Sequence, residues 1–219
     1  VEVVGLEGVW GQVEGLVRRL GCPVMDARFN GCGQALSKAM PVEWRGYSAV
    51  DVVLQKMLLL SQMGAGCLQV ENLTDEDRTS LFDLLREAQT DGDRNPSDAP
   101  KFLSNPQLQD FAKSLPIFRT RQETFTALNG PQEYYTCSQT SFAPPEDAPL
   151  LKYRQEDAGL LRSLGVEVLG ESEVMARFVL PGLETMDNIK RRETLEHLRD
   201  NWGSLKSDNL VGRLRELKF

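Results

Sequence analysis

The stretch LQDFAKSLPIFRTRQETFTALNG, residues 108–130, changes its periodicity half-way, and that change decides the fold class. Leu108, Phe111, Ala112 and Leu115 recur at helical spacing behind Asn105-Pro106, an N-cap residue followed by a proline suited to the first helical position. Pro116 ends the helix. Ile117-Phe118 and the Phe125/Leu128 pair then read as extended segments, and Asn129-Gly130 reads as a turn that demands positive φ. A helix running straight into buried strands predicts an α+β fold, loosely α/β.

The same device closes the chain. Leu210, Val211, Leu214 and Leu217 form one apolar face behind the cap residue Ser207, and Leu217-Lys218-Phe219 leads out of it towards a strand. The expectation is one domain over 1–219, cut from a longer multidomain chain, with 140–150 as the place for any subdivision.

Between these points the pattern is regular. Val9, Trp10, Val13, Leu16, Val17 and Leu20 mark a helix face ended by Gly21, and Cys22–Met25 follows as a strand. A short helix covers Gln34–Ala39. Ser48 and Asp51 open a helix through Met63 with almost no polar face, which places it in the middle of a core. Thr74 caps a helix carrying Leu81, Leu84 and Leu85, and the polar run from Thr90 to Pro100 reads as a loop. Glu133–Ser138 reads as a strand, and Glu156–Leu164 as a helix stopped by Gly165 before a strand at Val166–Leu169. Ser172 caps a short helix ended by Pro181-Gly182. A long helix from about Asp187 to Trp202 turns Ile189, Leu195, Leu198 and Trp202 inward. The segments near 23–26, 67–70, 116–119, 125–128, 134–138 and 166–169 are expected to form a mixed sheet packed with helices.

The two halves echo one another. VRRLGCPVM (17–25) matches LRSLGVEVL (161–169) as helix end, Leu-Gly cap and buried strand, and KSLPIF (113–118) matches RELKF (215–219) as helix end and apolar exit. The pattern is a weak twofold repeat of a helix–strand–helices–strand unit.

The order LGCPVMD, KSLPIFRT, LGVEVL, RFVLP and RELKF resembles the repeat regions of the sacsin family, giant neuronal co-chaperones. In that family each repeat region opens with an ATPase module like that of the ninety-kilodalton heat-shock chaperones, and this chain is similar to the part beyond it. The resemblance implies a non-catalytic structural and client-engaging segment. It further implies cytoplasmic protein quality control, association with mitochondria and intermediate filaments, and work alongside the seventy-kilodalton chaperones and the proteasome. Protein clients or neighbouring modules of the same chain are the partners it points to.

Composition narrows the field independently. A hydrophobic fraction of 41% and a charged fraction of 26% belong to an ordinary globular protein. The net charge of −7 repels phosphate backbones, and no basic run interleaved with aromatics offsets it, which disfavours nucleic acid. No apolar run approaches the length of about 20 residues that spans a bilayer, so membrane insertion is not expected. Cys22, Cys32, Cys67 and Cys137 lack C-x-x-C spacing, which fits a reducing, cytoplasmic setting.

The chemistry-bearing residues are sparse. The family's ATPase needs an Asp-x-Gly-x-Gly turn; Asp91-Gly92-Asp93 lacks the second glycine and reads as a solvated loop. Gly31-Cys32-Gly33 is followed by no lysine with serine or threonine at phosphate-loop spacing. ATP use is therefore not carried over, and no cofactor, metal or catalytic residue is assigned. His197 is the sole histidine, so the competing reading, a cysteine-dependent hydrolase, must pass through it and one of the four cysteines. Cys22 and Cys67 sit in apolar contexts and read as core fillers. Glu184, Asp187, Glu193 and Glu196 alternate with Lys190, Arg191 and Arg192 as a solvated helix face does.

Recognition has better candidates. The loop 138–149 is stiffened by proline and carries Phe142, so Phe142, Pro144 and Pro145 are the candidate partner-binding residues. The alternative for Phe142 is that it closes the core under the loop. Trp10, Trp44 and Trp202 read as core or boundary residues. A pure inter-domain scaffold is the third reading.

Overall fold

The computed structural model describes residues 15–16, 19, 49–62, 72–94, 100–137, 140–152 and 154–217. The expected strands near 23–26 and 67–70, the short helix over 34–39, Ser48, Trp10, Trp44, Cys22, Cys32 and Cys67 lie outside the described residues. Of the first predicted helix, Gly15, Leu16 and Arg19 are described; all three are helical, and Leu16 belongs to the core.

Helix α1 (Ala49–Gln62) anchors the larger core. Val50, Val53, Leu54 and Met57 are at most 2% exposed, as the dense apolar run predicts, but Leu59 stands 56% exposed. The helix is thus buried along a broad face and not all round. Asp51 also reaches beyond its own helix. Fully buried, it accepts the N–H of Lys101 at 2.9 Å and of Phe102 at 2.7 Å, satisfying the open donors of the 3₁₀ turn Lys101–Leu103.

Helix α2 (Asp75–Arg94) begins with a reciprocal cap: Asp77 N–H donates to Thr74 Oγ1, and Thr74 N–H donates to an Asp77 carboxylate oxygen, both at 3.1 Å. It takes in the first five residues of the expected loop, Thr90–Arg94. The stretch after Thr90, including Asp91-Gly92-Asp93, is helical to Arg94 and not a loop, because extending a formed helix costs far less than starting one. Helix α3 (Pro106–Ser114) is capped by Asn105, whose side chain accepts from Gln107 N and Leu108 N.

Strands β1 (Phe118–Arg119) and β2 (Phe125–Thr126) pair antiparallel, while β3 (Tyr135–Cys137) and β4 (Glu167–Leu169) pair parallel. Between the pairs lies Leu150-Leu151, which the sequence marked as apolar without assigning it to the sheet. Lys152 N donates to Arg119 O (2.7 Å) and Arg121 N to Leu150 O (3.0 Å) on one side; Leu151 N donates to Tyr135 O (2.8 Å) and Tyr135 N to Pro149 O (3.0 Å) on the other. The order is therefore β2, β1, Leu150-Leu151, β3, β4, and the fold is α+β. The hairpin turns at Thr120–Thr124 with positive φ at Glu123, while Asn129 and Gly130 do not have positive φ.

Helix α4 (Ala158–Ser163) ends as predicted at Gly165. The glycine takes φ +83, with Val166 N bonded to Leu161 O and Gly165 N to Arg162 O, the left-handed closure for which glycine pays least. After β4 come helix α5 (Glu171–Val174), a π turn (Met175–Val179) and a 3₁₀ turn (Leu180–Gly182). Ser172 is not the cap of α5. Glu173 reaches back to Gly170 N instead, and Ser172 Oγ meets Ser207 Oγ at 2.5 Å.

Helix α6 (Asn188–Asp200) is capped by Asp187, followed by α7 (Trp202–Leu205) and α8 (Asp208–Glu216). Leu198, Leu205 and Leu210 join Met175, Val179 and Leu180 in a second core. Two residues expected inward are not: Ile189 is 63% and Trp202 36% exposed, since the α6 stripe facing the core is narrow. Helices α3 and α8 share more than pattern. Each has nine residues, with Leu108 and Leu210 buried at the same position after the cap. Their terminal residues, Leu115 (φ −74, ψ 134) and Leu217 (φ −70, ψ 130), turn out alike.

Candidate functional site

The candidate partner residues Phe142, Pro144 and Pro145 are brought together on one wall of a groove of about 740 Å³. The opposite side is built by the π turn and α6. Met175 and Val179 lie at its floor, Met186 and Thr194 on its flank, and Lys190, Glu193 and Glu146 at its rim. A π turn widens a helix by one residue, and such bulges recur at functional sites. Here it delivers Met175 and Val179 to the same concave surface.

The proline loop is fixed at several points. Thr140 Oγ1 donates to Phe142 O at 2.6 Å, Ala148 N donates to Pro145 O at 3.1 Å, and Gln122 Nε2 donates to Glu146 O. Glu171 accepts from both the N–H and the hydroxyl of Ser141. The far end is held by Arg191, which donates Nε to Leu183 O at 3.0 Å and Nη2 to Glu184 O at 2.6 Å. Both readings of Phe142 hold in part: it is half-buried against the second core and still lines the groove.

His197 lies in this groove, half-buried, with its ring edge-on to Phe142 at 5.4 Å. Asn201 Nδ2 donates to His197 O at 3.0 Å and lies 3.3 Å from Nδ1. The carbonyl fixes the amide's orientation, because a flipped amide would set two oxygens against each other, so Asn201 presents its Nδ2 to the imidazole. Nε2 lies 3.1 Å from Ser141 Oγ, whose own hydroxyl donates to Glu171. The Ser141 hydroxyl is engaged by the Glu171 carboxylate, which can only accept. A general base would need that hydroxyl to donate to the imidazole.

Cys137, the described cysteine, is 9% exposed and packs with Ala148, Leu150, Leu169 and Val174. Burial pushes its thiol up, with only partial relief from the Arg121 charge, opposite to what activates a thiolate. The neighbours of His197 named above are a serine, an asparagine and a phenylalanine. Among the described residues, no group of three or more histidine, cysteine, aspartate or glutamate side chains is placed to hold a metal ion, and no helix is long and apolar enough to cross a membrane.

Ser141, Glu171, Asn201, Met175 and Met186 were not singled out from the sequence. Asn201, one helical turn after the sole histidine, carried a readable signal; Glu171 and the two methionines are joined to the loop by tertiary packing alone. No protein-family model, no curated protein and no solved structure matches the chain.

Proposed function

We propose that this chain is a non-catalytic, client- or partner-engaging segment of a sacsin-like co-chaperone, and that the groove between the proline loop and α6 is where it engages. The occupant fitted to it is an extended segment of a non-native protein with large apolar side chains flanked by charges. The observation that carries the reading is the groove's composition. Met175 and Met186 give a polarisable surface that adapts to varied side chains, Phe142 and the prolines give a stiff wall, and Lys190, Glu193 and Glu146 offer both signs of charge at the rim. In this reading the segment acts in cytoplasmic quality control beside the seventy-kilodalton chaperones, as the family resemblance implies. Light scattering of a thermally unfolding model client tests it: near-stoichiometric chain should suppress aggregation, and Phe142→Asp should abolish the effect.

A further inference from the structure

Among the described residues, helix α6 repeats the contact face of α2 without a comparable partner on it. Counted from their caps, Thr74 and Asp187, the positions Phe82, Asp83, Leu85 and Arg86 fall opposite Leu195, Glu196, Leu198 and Arg199. Leu85 and Leu198 are the core-facing members, 1% and 5% exposed. The rest of the α2 face is a seam. Phe82 packs edge-on to Phe118, with ring centroids 6.0 Å apart. Arg86 pairs with Asp83 at 2.8 Å and crosses to Glu156 at 3.0 Å and Asp157 at 3.3 Å, in the turn that opens α4. Its side chain is 18% exposed.

On α6 the equivalent groups face outward. The Arg199 side chain is 71% exposed and meets the adjacent Asp200 at 2.8 Å, while Glu196 is 52% exposed and lies 3.9 Å from Arg192. A shallow depression along this stripe of α6 is lined by Asn188, Arg191, Arg192, Leu195, Glu196 and Arg199; the counterparts of the last four, Thr79, Phe82, Asp83 and Arg86, line the cleft that α2 forms with β1, β2 and the start of α4.

We infer that this stripe of α6 is a docking surface for an α4-type helix: one opened by two consecutive acidic residues, as Glu156-Asp157 open α4, and presenting a leucine pair, as Leu160-Leu161 do. The charges are complementary. Arg199 and Arg192 meet the acidic turn as Arg86 does on α2, and Leu195, half-buried against the second core, presents its remaining apolar surface to the leucines. The stripe lies on a different side of α6 from Lys190, Glu193 and His197, so the inference stands independently of the groove.

The test is a hydrocarbon-stapled, fluorophore-labelled peptide with the sequence of residues 154–165, RQEDAGLLRSLG, titrated with the whole chain and read by anisotropy. Saturable binding is expected, weakened about tenfold or more by Arg199→Glu in the chain or by Glu156→Lys with Asp157→Lys in the peptide. Combining the reversed partners should restore it. Arg199 is exposed, so an unchanged melting curve of Arg199→Glu shows that the loss is local. Absence of saturable binding overturns the inference. So does binding indifferent to Arg199→Glu, which is the result expected if the peptide merely exchanges with α4 on α2.

Discussion

His197 Nε2 and Ser141 Oγ lie 3.1 Å apart, tying α6 to the proline loop across the mouth of the groove. The pair has the residue types of a hydrolytic dyad, but the Ser141 hydroxyl is engaged by the Glu171 carboxylate. A serine-directed fluorophosphonate is therefore expected to leave Ser141 unmodified, checked by intact mass. Labelling that disappears in His197→Ala would show that the imidazole acts as a base.

The thiol of Cys137 is expected to resist a thiol reagent at neutral pH until the chain unfolds, because burial raises its pKa and closes access. Mass mapping across a denaturant series checks this. Selective modification of Cys137 in the native chain would revive the cysteine-hydrolase reading.

Asp51 joins α1 to the 3₁₀ turn before α3 through two charge-assisted hydrogen bonds in a site with no solvent exposure. Asp51→Ala leaves two backbone donors unpaired and is expected to cost about 2–4 kcal/mol. Leu54→Ala, in the same helix, should cost about 2–5 kcal/mol through the cavity it leaves. Denaturant melts measure both, and a loss below about 0.5 kcal/mol at either position would contradict the assigned packing.

Acid sensitivity is expected at Asp77. Burial works to raise its pKa, but hydrogen bonds from the backbone and side chain of Thr74 and the Arg19 guanidinium outweigh burial and hold the carboxyl below its usual range. A carboxylate depressed in the folded state binds protons more weakly there than in the unfolded chain. Its contribution is thus full above the ordinary aspartate pKa and is lost as pH falls through the lower folded value. Asp77→Asn should lower stability by about 1 kcal/mol at pH 7 and flatten the pH dependence below about pH 4. An unchanged acid limb would assign it to other groups.

Much of the fold was legible because local signals governed it. Asn105-Pro106, Thr74, Ser207 and Gly165 act where the sequence put them, since a cap is settled by a few neighbouring residues. What was missed depends on distant partners. Leu150-Leu151 bridges the two strand pairs only because Arg119 and Tyr135 flank it, and Asp51 reaches a turn fifty residues away. The site shows the same division. Phe142, Pro144, Pro145 and His197 stood out by type, whereas Ser141, Glu171, Met175 and Met186 join them through packing that no spacing announces.

The most direct measurement of the central claim is aggregation of a thermally unfolding client, followed by light scattering with wild-type chain, Phe142→Asp and Met186→Lys. Wild type is expected to suppress aggregation near one-to-one and both variants to lose the effect at a temperature where melting curves show each still folded, Phe142→Asp melting lower because Phe142 packs on the second core. Suppression equal in all three, or none by wild type, would contradict engagement of clients through this groove.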